Sequence, residues 1–248
     1  MALTTAQHAS RSPFPGAAEG LGRGRTLRAR RAIGALKPEV ERPLVVIVDD
    51  DEDVRFALQE LLMSVGLDAE CFGSTQALLD ATPQNRPGCL ILDIRMPGLS
   101  GLALQHHLVS SGRAKPIIFL TAHGDIPMSV QAMKAGAVDF LTKPVRDQAL
   151  LDAVATAVER DVAHRATKEI ADGNIARFST LTPRERRVLR EVVSGRVNKQ
   201  IAFDLGISEV TVKLHRGNAM RKMQSASVGA LIRAWQTLPV QLREDVLP

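Results

Sequence analysis

The sequence predicts a parallel α/β sheet covered by helices on both faces, followed by a smaller all-helical unit. Three observations predict it. Short apolar runs alternate with amphipathic stretches from Leu44 to about residue 165. Charge changes sign along the chain: residues 44–146 hold 8 Lys+Arg against 12 Asp+Glu, and residues 177–236 hold 12 against 4. From Leu181 onward capped helices separated by tight turns replace the strands.

"LVVIV" (44–48) reads as a buried strand. The following "DVRFALQELLMSVG" reads as an amphipathic helix, with Val54, Leu58, Leu61, Leu62 and Val65 at spacings of three and four. Further short strands are predicted at 67–72, 89–93, 116–121 and 138–142, with helices at 74–81, 101–111 and 126–135 between them. Regular alternation of this kind argues for a parallel sheet with both faces covered. A fifth helix begins near Arg146 and runs toward residue 165, with Gly173-Asn174 as a natural stop. In "LTPRERRVLREVVSG", Thr182 suits an N-cap, Pro183 the first helical position and Glu185 a capping box, and Gly195 ends the helix. "NKQIAFDLG" makes a short helix, "GIS" a tight turn, and "SEVTVKLHRGNAMRKM" a longer helix capped by Ser208. That is the helix-turn-helix pattern, and "SVGALIRAW" closes the bundle.

Composition narrows the class. Apolar residues make up 45% and charged residues 24% of 248 residues, which fits one or two globular domains. No apolar run reaches the roughly 18 residues of a membrane span. The two cysteines, Cys71 and Cys89, have no metal-type or redox-type spacing, so two free thiols in a reducing cytoplasm are expected. Residues 1–43 are rich in Ala, Gly, Ser and Arg and lack the apolar core of a secretory signal; a disordered basic extension is expected. The acidic first half and basic second half suggest a signal-handling module joined to a polyanion-binding one. Charge alone does not separate DNA from RNA, nor either from a solvated basic face.

In an open parallel sheet, ligands sit outside the carboxyl ends of the strands. Here the first strand runs into Asp49-Asp50, the third ends in Asp93, the fourth ends in Thr121, and Lys143-Pro144 comes after the fifth. If the first and third strands are neighbours, Asp49, Asp50 and Asp93 converge. Oxygen ligands of this kind suit Mg²⁺, which would relieve their mutual repulsion. A carboxylate can also attack phosphorus to form an acyl phosphate, which needs a metal, a cation and a hydroxyl donor; Asp50 with Mg²⁺, Lys143 and Thr121 meet those needs. "DDDED" by itself is more often the solvated start of a helix, where acids are favoured, and Asp51, Glu52 and Asp53 are read as cap and first-turn acids. His106 and His107 are adjacent on a helix and cannot face one ligand together; one surface and one core position are expected.

"VDDDEDVR", "LILDIRMPGLSG", "FLTAHGD" and "AGAVDFLTKP" together resemble the receiver domain of bacterial two-component response regulators. The resemblance implies a flavodoxin-like, doubly wound five-stranded parallel sheet. It implies Asp93 as phosphoacceptor, and Mg²⁺ held by Asp50, Asp93 and the backbone carbonyl of Arg95, with Asp49 assisting through water. It makes Thr121 and Phe140 a switch pair, with Thr121 drawn toward the phosphoryl group and Phe140 turning inward, and it implies a cis Lys143–Pro144 bond. "LTPRE", "LREVVSG", "NKQIAFDLGIS" and "TVKLHRGNAMRKM" resemble the LuxR/FixJ-type DNA-binding domain, and the pairing of the two is similar to the FixJ subgroup. The organisation expected is an extension at 1–43, a receiver at 44–160, a linker at 161–177, a helix-turn-helix domain at 178–240 and a tail at 241–248.

In the recognition helix, Val212, Ala219, Met220 and Met223 are read as facing the bundle, and positions 209, 210, 213, 214 and 217 as facing outward. Lys213 is the best candidate for a base or phosphate contact, with Glu209 beside it; Val210 and Leu214 suit thymine methyls. Arg216, Arg221, Lys222 and, from the preceding helix, Lys199 suit phosphates. His215 is open between a structural and a DNA role. Gly217 is unexpected, because glycine costs about 1 kcal/mol in a helix interior. The resemblance as a whole implies a cytoplasmic transcriptional regulator rather than an enzyme. A sensor histidine kinase would phosphorylate it, and a homodimer would then bind double-stranded promoter DNA at half-sites about one turn apart, with no membrane partner. Two alternatives stand beside this reading. An aspartyl phosphatase of the haloacid-dehalogenase type would carry an acid where Arg95 stands. A receiver acting only as an unphosphorylated dimerisation module would not need the acidic pair, Asp93, Thr121 and Lys143.

Overall fold

The computed structural model describes residues 42–81, 83–111, 115–122 and 124–244. The expectation of a disordered extension at 1–43 falls outside these residues except at Arg42 and Pro43, and Pro43 is buried. The chain divides into two units between Ala163 and His164.

The first unit holds β1 (Leu44–Val48), α1 (Glu52–Ser64), β2 (Asp68–Phe72), α2 (Thr75–Asp80), β3 (Gly88–Leu92), α3 (Gly101–Ser110), β4 (Ile117–Thr121), α4 (Ile126–Lys134), β5 (Asp139–Thr142) and the start of α5 (Asp147–Ser179). The five strands form one parallel sheet in the order β2-β1-β3-β4-β5. Strand order reverses between β1 and β3, so the crevice outside their carboxyl ends is the switch point at which such sheets bind ligands.

Side chains alternate across each strand and split the core in two. Val45 and Ile47 of β1 pack with Val54, Leu58 and Leu62 of α1 and with Leu150, Val154 and Ala157 of α5. Leu44, Val46 and Val48 face the other way, toward Leu78, Leu104, Leu108 and Ala132. Asp51 caps α1, accepting from the amides of Asp53 and Val54, and Glu52 and Asp53 occupy the first turn. These are the cap and first-turn acids expected there. His106 and His107 are both exposed, and neither is core as expected for one of them. The buried stripe of α3 is Gly101, Leu104, Gln105 and Leu108, and it misses both histidines.

The start of β3 is tied to α5. The Gly88 amide donates to a carboxylate oxygen of buried Asp161 at 2.9 Å. A Cβ on Gly88 would run into the Leu44 carbonyl, so only glycine fits at this edge. Lys143–Pro144 is cis.

The helix α5 does not stop at Gly173-Asn174, and the stretch 161–177 is helical. Tertiary contacts override the local stop signal: buried Asn174 donates to Thr237 Oγ1 at 3.0 Å and accepts from Arg177 at 3.1 Å.

The second unit continues with α6 (Pro183–Val193), α7 (Asn198–Leu205), α8 (Glu209–Lys222), α9 (Val228–Gln236) and α10 (Val240–Glu244). Part of the segment 241–248, expected as a tail, is therefore helical; 245–248 lie outside the described residues. Phe178, Leu181, Val188, Leu189, Val192, Ile201, Val212, Ala219, Met223, Leu231 and Leu238 make the core. Trp235 meets Phe178 edge-on at 5.9 Å. Gly206 ends α7 in the left-handed region (φ 62), which turns the chain into the Ser208 cap of α8.

The capping box of α6 also anchors α8. Glu185 accepts from the Thr182 amide at 2.8 Å and from Lys222 Nζ at 2.7 Å. Burial alone would raise the Glu185 carboxyl. The Lys222 ammonium and the Thr182 donors outweigh it and hold the group below the ordinary glutamate range. The folded unit therefore binds this proton less readily than the unfolded chain, and stability rises with pH between the two pKa values. Glu185→Gln is expected to cost about 1–2 kcal/mol at neutral pH, read from Trp235 fluorescence in urea. The difference from wild type is complete above the ordinary glutamate range and vanishes as pH falls through the folded-state value.

Candidate functional site

Parallel pairing places Val48 opposite Leu92, so the residues after each strand emerge side by side. Asp49 and Asp93 are thereby neighbours, and both are buried (2% and 6% exposed), with Asp50 exposed next to them. Carboxylate oxygens of all three lie within 4.8 Å of one another. The ladder fixes this placement: the Asp49 amide donates to the Phe72 carbonyl at 3.1 Å and the Asp93 amide to the Val48 carbonyl at 2.9 Å.

Among the described residues one cation answers the two buried acids. Lys143 Nζ is 2.5 Å from Asp49 Oδ2 and 2.8 Å from Asp93 Oδ2. Its own amide donates to the Thr121 carbonyl at 2.9 Å, which ties the start of the lysine turn to the end of β4. Burial raises the Asp49 carboxyl, an effect that Lys143 and the Asp51 amide offset only in part, and the Asp93 charge adds to it. Burial by itself would depress the Lys143 ammonium, but its hydrogen bonds to Asp49 and Asp93 outweigh that and raise it.

Main-chain donors hold the remaining oxygens. The Asp51 amide donates to Asp49 Oδ1 and the Arg95 amide to Asp93 Oδ1, each at 3.1 Å. Thr121 is buried at the end of β4. Phe140 is half-buried on β5, its ring 6.4 Å from that of Phe119. The structure thus brings Asp49, Asp50, Asp93, Lys143 and the Arg95 backbone into one pocket, with Thr121 and Phe140 on the adjoining strands. Arg55 is a residue that sequence reasoning misses. It donates to the Asp49 carbonyl at 2.7 Å and so holds the acidic turn from α1. Its only signal is its place in "DVR", where an arginine reads as a surface helix residue.

Three carboxylates are hard donors of the kind that hold Mg²⁺ with several waters, and the residues fit that ion.

In the second unit the outward face of α8 carries Glu209, Val210, Lys213, Leu214 and Gly217, all exposed, with Val210 at 75% and Leu214 at 61%. Val212, Ala219 and Met223 are buried and Met220 packs against them. Lys199 is exposed on α7. Arg216 donates to Asn198 Oδ1 at 2.9 Å, bracing α7 against α8, and Arg221 donates to Asn218 Oδ1 at 2.8 Å. Lys222, read from the sequence as a phosphate contact, is engaged with Glu185. His215 is half-buried.

A carboxylate pocket at the switch point of a parallel sheet, followed by a helix-turn-helix unit, defines a regulator that receives a signal and addresses DNA. Residues 45–155 match the response regulator receiver domain, and residues 179–234 match the bacterial regulatory proteins of the luxR family. Nodulation protein W of Bradyrhizobium diazoefficiens is 48% identical over 199 residues, covering 80% of this chain and 88% of that protein. The transcriptional regulatory protein FixJ of Rhizobium meliloti is 45% identical over 189 residues, covering 76% and 93%. The solved structure of the response regulator StyR matches with a TM-score of 0.71 at 46% identity, over 79% of this chain and 99% of that one. The chain belongs to the two-component response regulators that join a receiver domain to a LuxR-type DNA-binding domain, and it is a transcriptional regulator of that family. Among the described residues no helix is long and apolar enough to cross a membrane.

Lys143→Met is expected to leave two buried carboxylates facing each other. The cost is about 2–3 kcal/mol, below that of a fully buried pair because the lysine is partly exposed. Circular dichroism in urea measures it, and added Mg²⁺ recovers part of the loss in the variant.

Proposed function

We propose that Asp93 accepts a phosphoryl group from the phosphohistidine of a sensor histidine kinase. An Asp93 carboxylate oxygen attacks phosphorus, the P–N bond of the donor breaks, and the imidazole nitrogen leaves with the electron pair. The product is an acyl phosphate on Asp93. The observation that carries this reading is Lys143 Nζ held between Asp49 and Asp93, a cation beside the buried nucleophile. Asp49, Asp50, Asp93 and the Arg95 carbonyl would hold Mg²⁺, which when bound supplies positive charge to the phosphoryl oxygens. Lys143 neutralises a further oxygen, and the Thr121 hydroxyl, at the end of the next strand, donates to another. Main-chain amides of Asp51 and Arg95 keep the two acids oriented while charge redistributes.

The new charge on Asp93 draws Thr121 and Lys143 toward it and biases the position of Phe140. The surface of α4, β5 and α5 then pairs two copies. Exposed Ile126, Val130 and Met133 on α4 support that reading, because an apolar helix face left to solvent favours association. The paired helix-turn-helix units read promoter DNA with the α8 face: Lys213 and Glu209 polar, Val210 and Leu214 apolar, Lys199, Arg216 and Arg221 toward phosphates. The exposure of Lys213, Val210 and Leu214 at the start of α8 supports this.

Intact mass after incubation with acetyl phosphate and Mg²⁺ tests the first step. Wild type is expected to gain one phosphoryl group and Asp93→Asn none. Gain on neither, with DNA binding retained by both, would favour a receiver that serves only for assembly. Lys213→Ala is expected to weaken operator binding about tenfold, the lower range of a lost base or phosphate contact, and to leave the mass gain intact. Unchanged affinity in a gel shift would remove Lys213 from the interface.

A further inference from the structure

Gly124 stands in the connection from β4 to α4. What it supplies is space. A Cβ at Gly124 would stand 2.7 Å from Phe140 Cε1, 2.9 Å from Phe140 Cζ and 3.5 Å from Thr121 Cγ2. The first two distances are shorter than real Cβ contacts reach, so the ring would have to move.

The consequence of an added methyl group depends on which group must yield. At Gly88 and Gly101 an added Cβ would meet backbone, the Leu44 and Asp93 carbonyls, and the fold itself would suffer. At Gly124 it meets the tip of a side chain that turns about χ1. Phe140 is only half-buried, with the Phe119 ring on its inner side and the Gly124 connection against its edge. It can leave without opening the core.

We propose that Gly124 is a positioning residue for the phosphoryl-transfer switch. Its missing side chain is what lets Phe140 rest against the β4–α4 connection beside Thr121, and a methyl group there expels the ring. This rests on the proposed function, in which the ring's place is coupled through Thr121 to phosphate on Asp93. A substitution that removes one of two ring positions shifts the population toward the other. In Gly124→Ala the ring loses this position before any donor arrives, and the amount of donor the pocket needs changes with it.

The test uses the full-length chain carrying fluorinated phenylalanine. The Phe140 resonance is assigned by its loss in Phe140→Leu, and Asp93 labelling by acetyl phosphate with Mg²⁺ is followed by intact mass. In Gly124→Ala without donor, the Phe140 resonance is expected to move away from its wild-type position. Labelling at sub-saturating donor is expected to change about threefold to tenfold. In the Phe140→Leu background, Gly124→Ala is expected to change labelling less than about twofold, because the ring it acts through is gone. An unmoved Phe140 resonance in Gly124→Ala overturns the proposal, and so does an equal change in labelling with Leu at position 140. If wild type takes up no phosphoryl group at all, the proposed function fails on its own. Displacement of the ring by the methyl group is still read from the donor-free spectra.

Discussion

The pairing of β1 with β3 puts two buried acids side by side, and the rest of the site answers that constraint. Asp49 and Asp93 leave the ends of adjacent strands with little exposure, so their repulsion is poorly screened by water. Balance comes from far along the chain. Lys143 comes after β5, with β4 between it and β3, and its ammonium still reaches both carboxylates. The strand it passes ends in Thr121, whose carbonyl fixes the lysine turn. Local donors do the finer work: the Asp51 and Arg95 amides on the carboxylates, and Arg55 on the Asp49 carbonyl. Among the described residues one ammonium faces three carboxylates, and such a shortage of positive charge favours a hard divalent cation.

The second unit divides its cations between structure and surface. The chain from 177 to 236 carries 12 Lys+Arg, but they are not equally available to a polyanion. Lys222 closes the α6 capping box through Glu185, and Arg216 holds Asn198 at the start of α7. These bonds fix the angle between the helices that carry the exposed face. Lys199 and Lys213 stand outside them. In protein–DNA interfaces phosphate contacts depend on net positive charge and on salt, whereas base contacts depend on how the reading element is held. The pair of buried Glu185 and half-buried Lys222 thus helps to orient α8.

Most elements were legible in the sequence because their causes are local. Period-3.6 spacing of Val54, Leu58 and Leu62, the capping box of Thr182 and Glu185, and the glycine turn before Ser208 each need only a few neighbouring residues. The chemical residues were legible as strand ends, since α/β topology dictates where they converge. What escaped was non-local. Asn174 carries a stop signal in sequence and a helical conformation in the structure, because its amide finds Thr237 in the same unit. The histidine pair on α3 lies outside a buried stripe set by packing on the sheet and α4, which the sequence of the helix alone does not mark. Arg55 carries no sign of its task, because its partner is a main-chain carbonyl. Lys222 reads as one more surface cation until the fold places Glu185 against it.

Gly124 belongs with these non-local cases, and under the proposed function it illustrates what a phosphorylation switch demands of its packing. A ring that is to move in response to charge on a neighbouring strand must not be locked by the core, or the few kcal/mol available from new hydrogen bonds would not displace it. Nor can it be loose, or its position would carry no information. Phe140 meets both demands by lying half-buried, with Phe119 behind it and a backbone without a side chain before it. The glycine leaves one place for the ring without adding contacts that would hold it there. Under the proposed function, the absence of a single methyl group beyond the end of β4 therefore tunes the switch as directly as the acids tune the pocket, and it does so without touching the phosphoryl group.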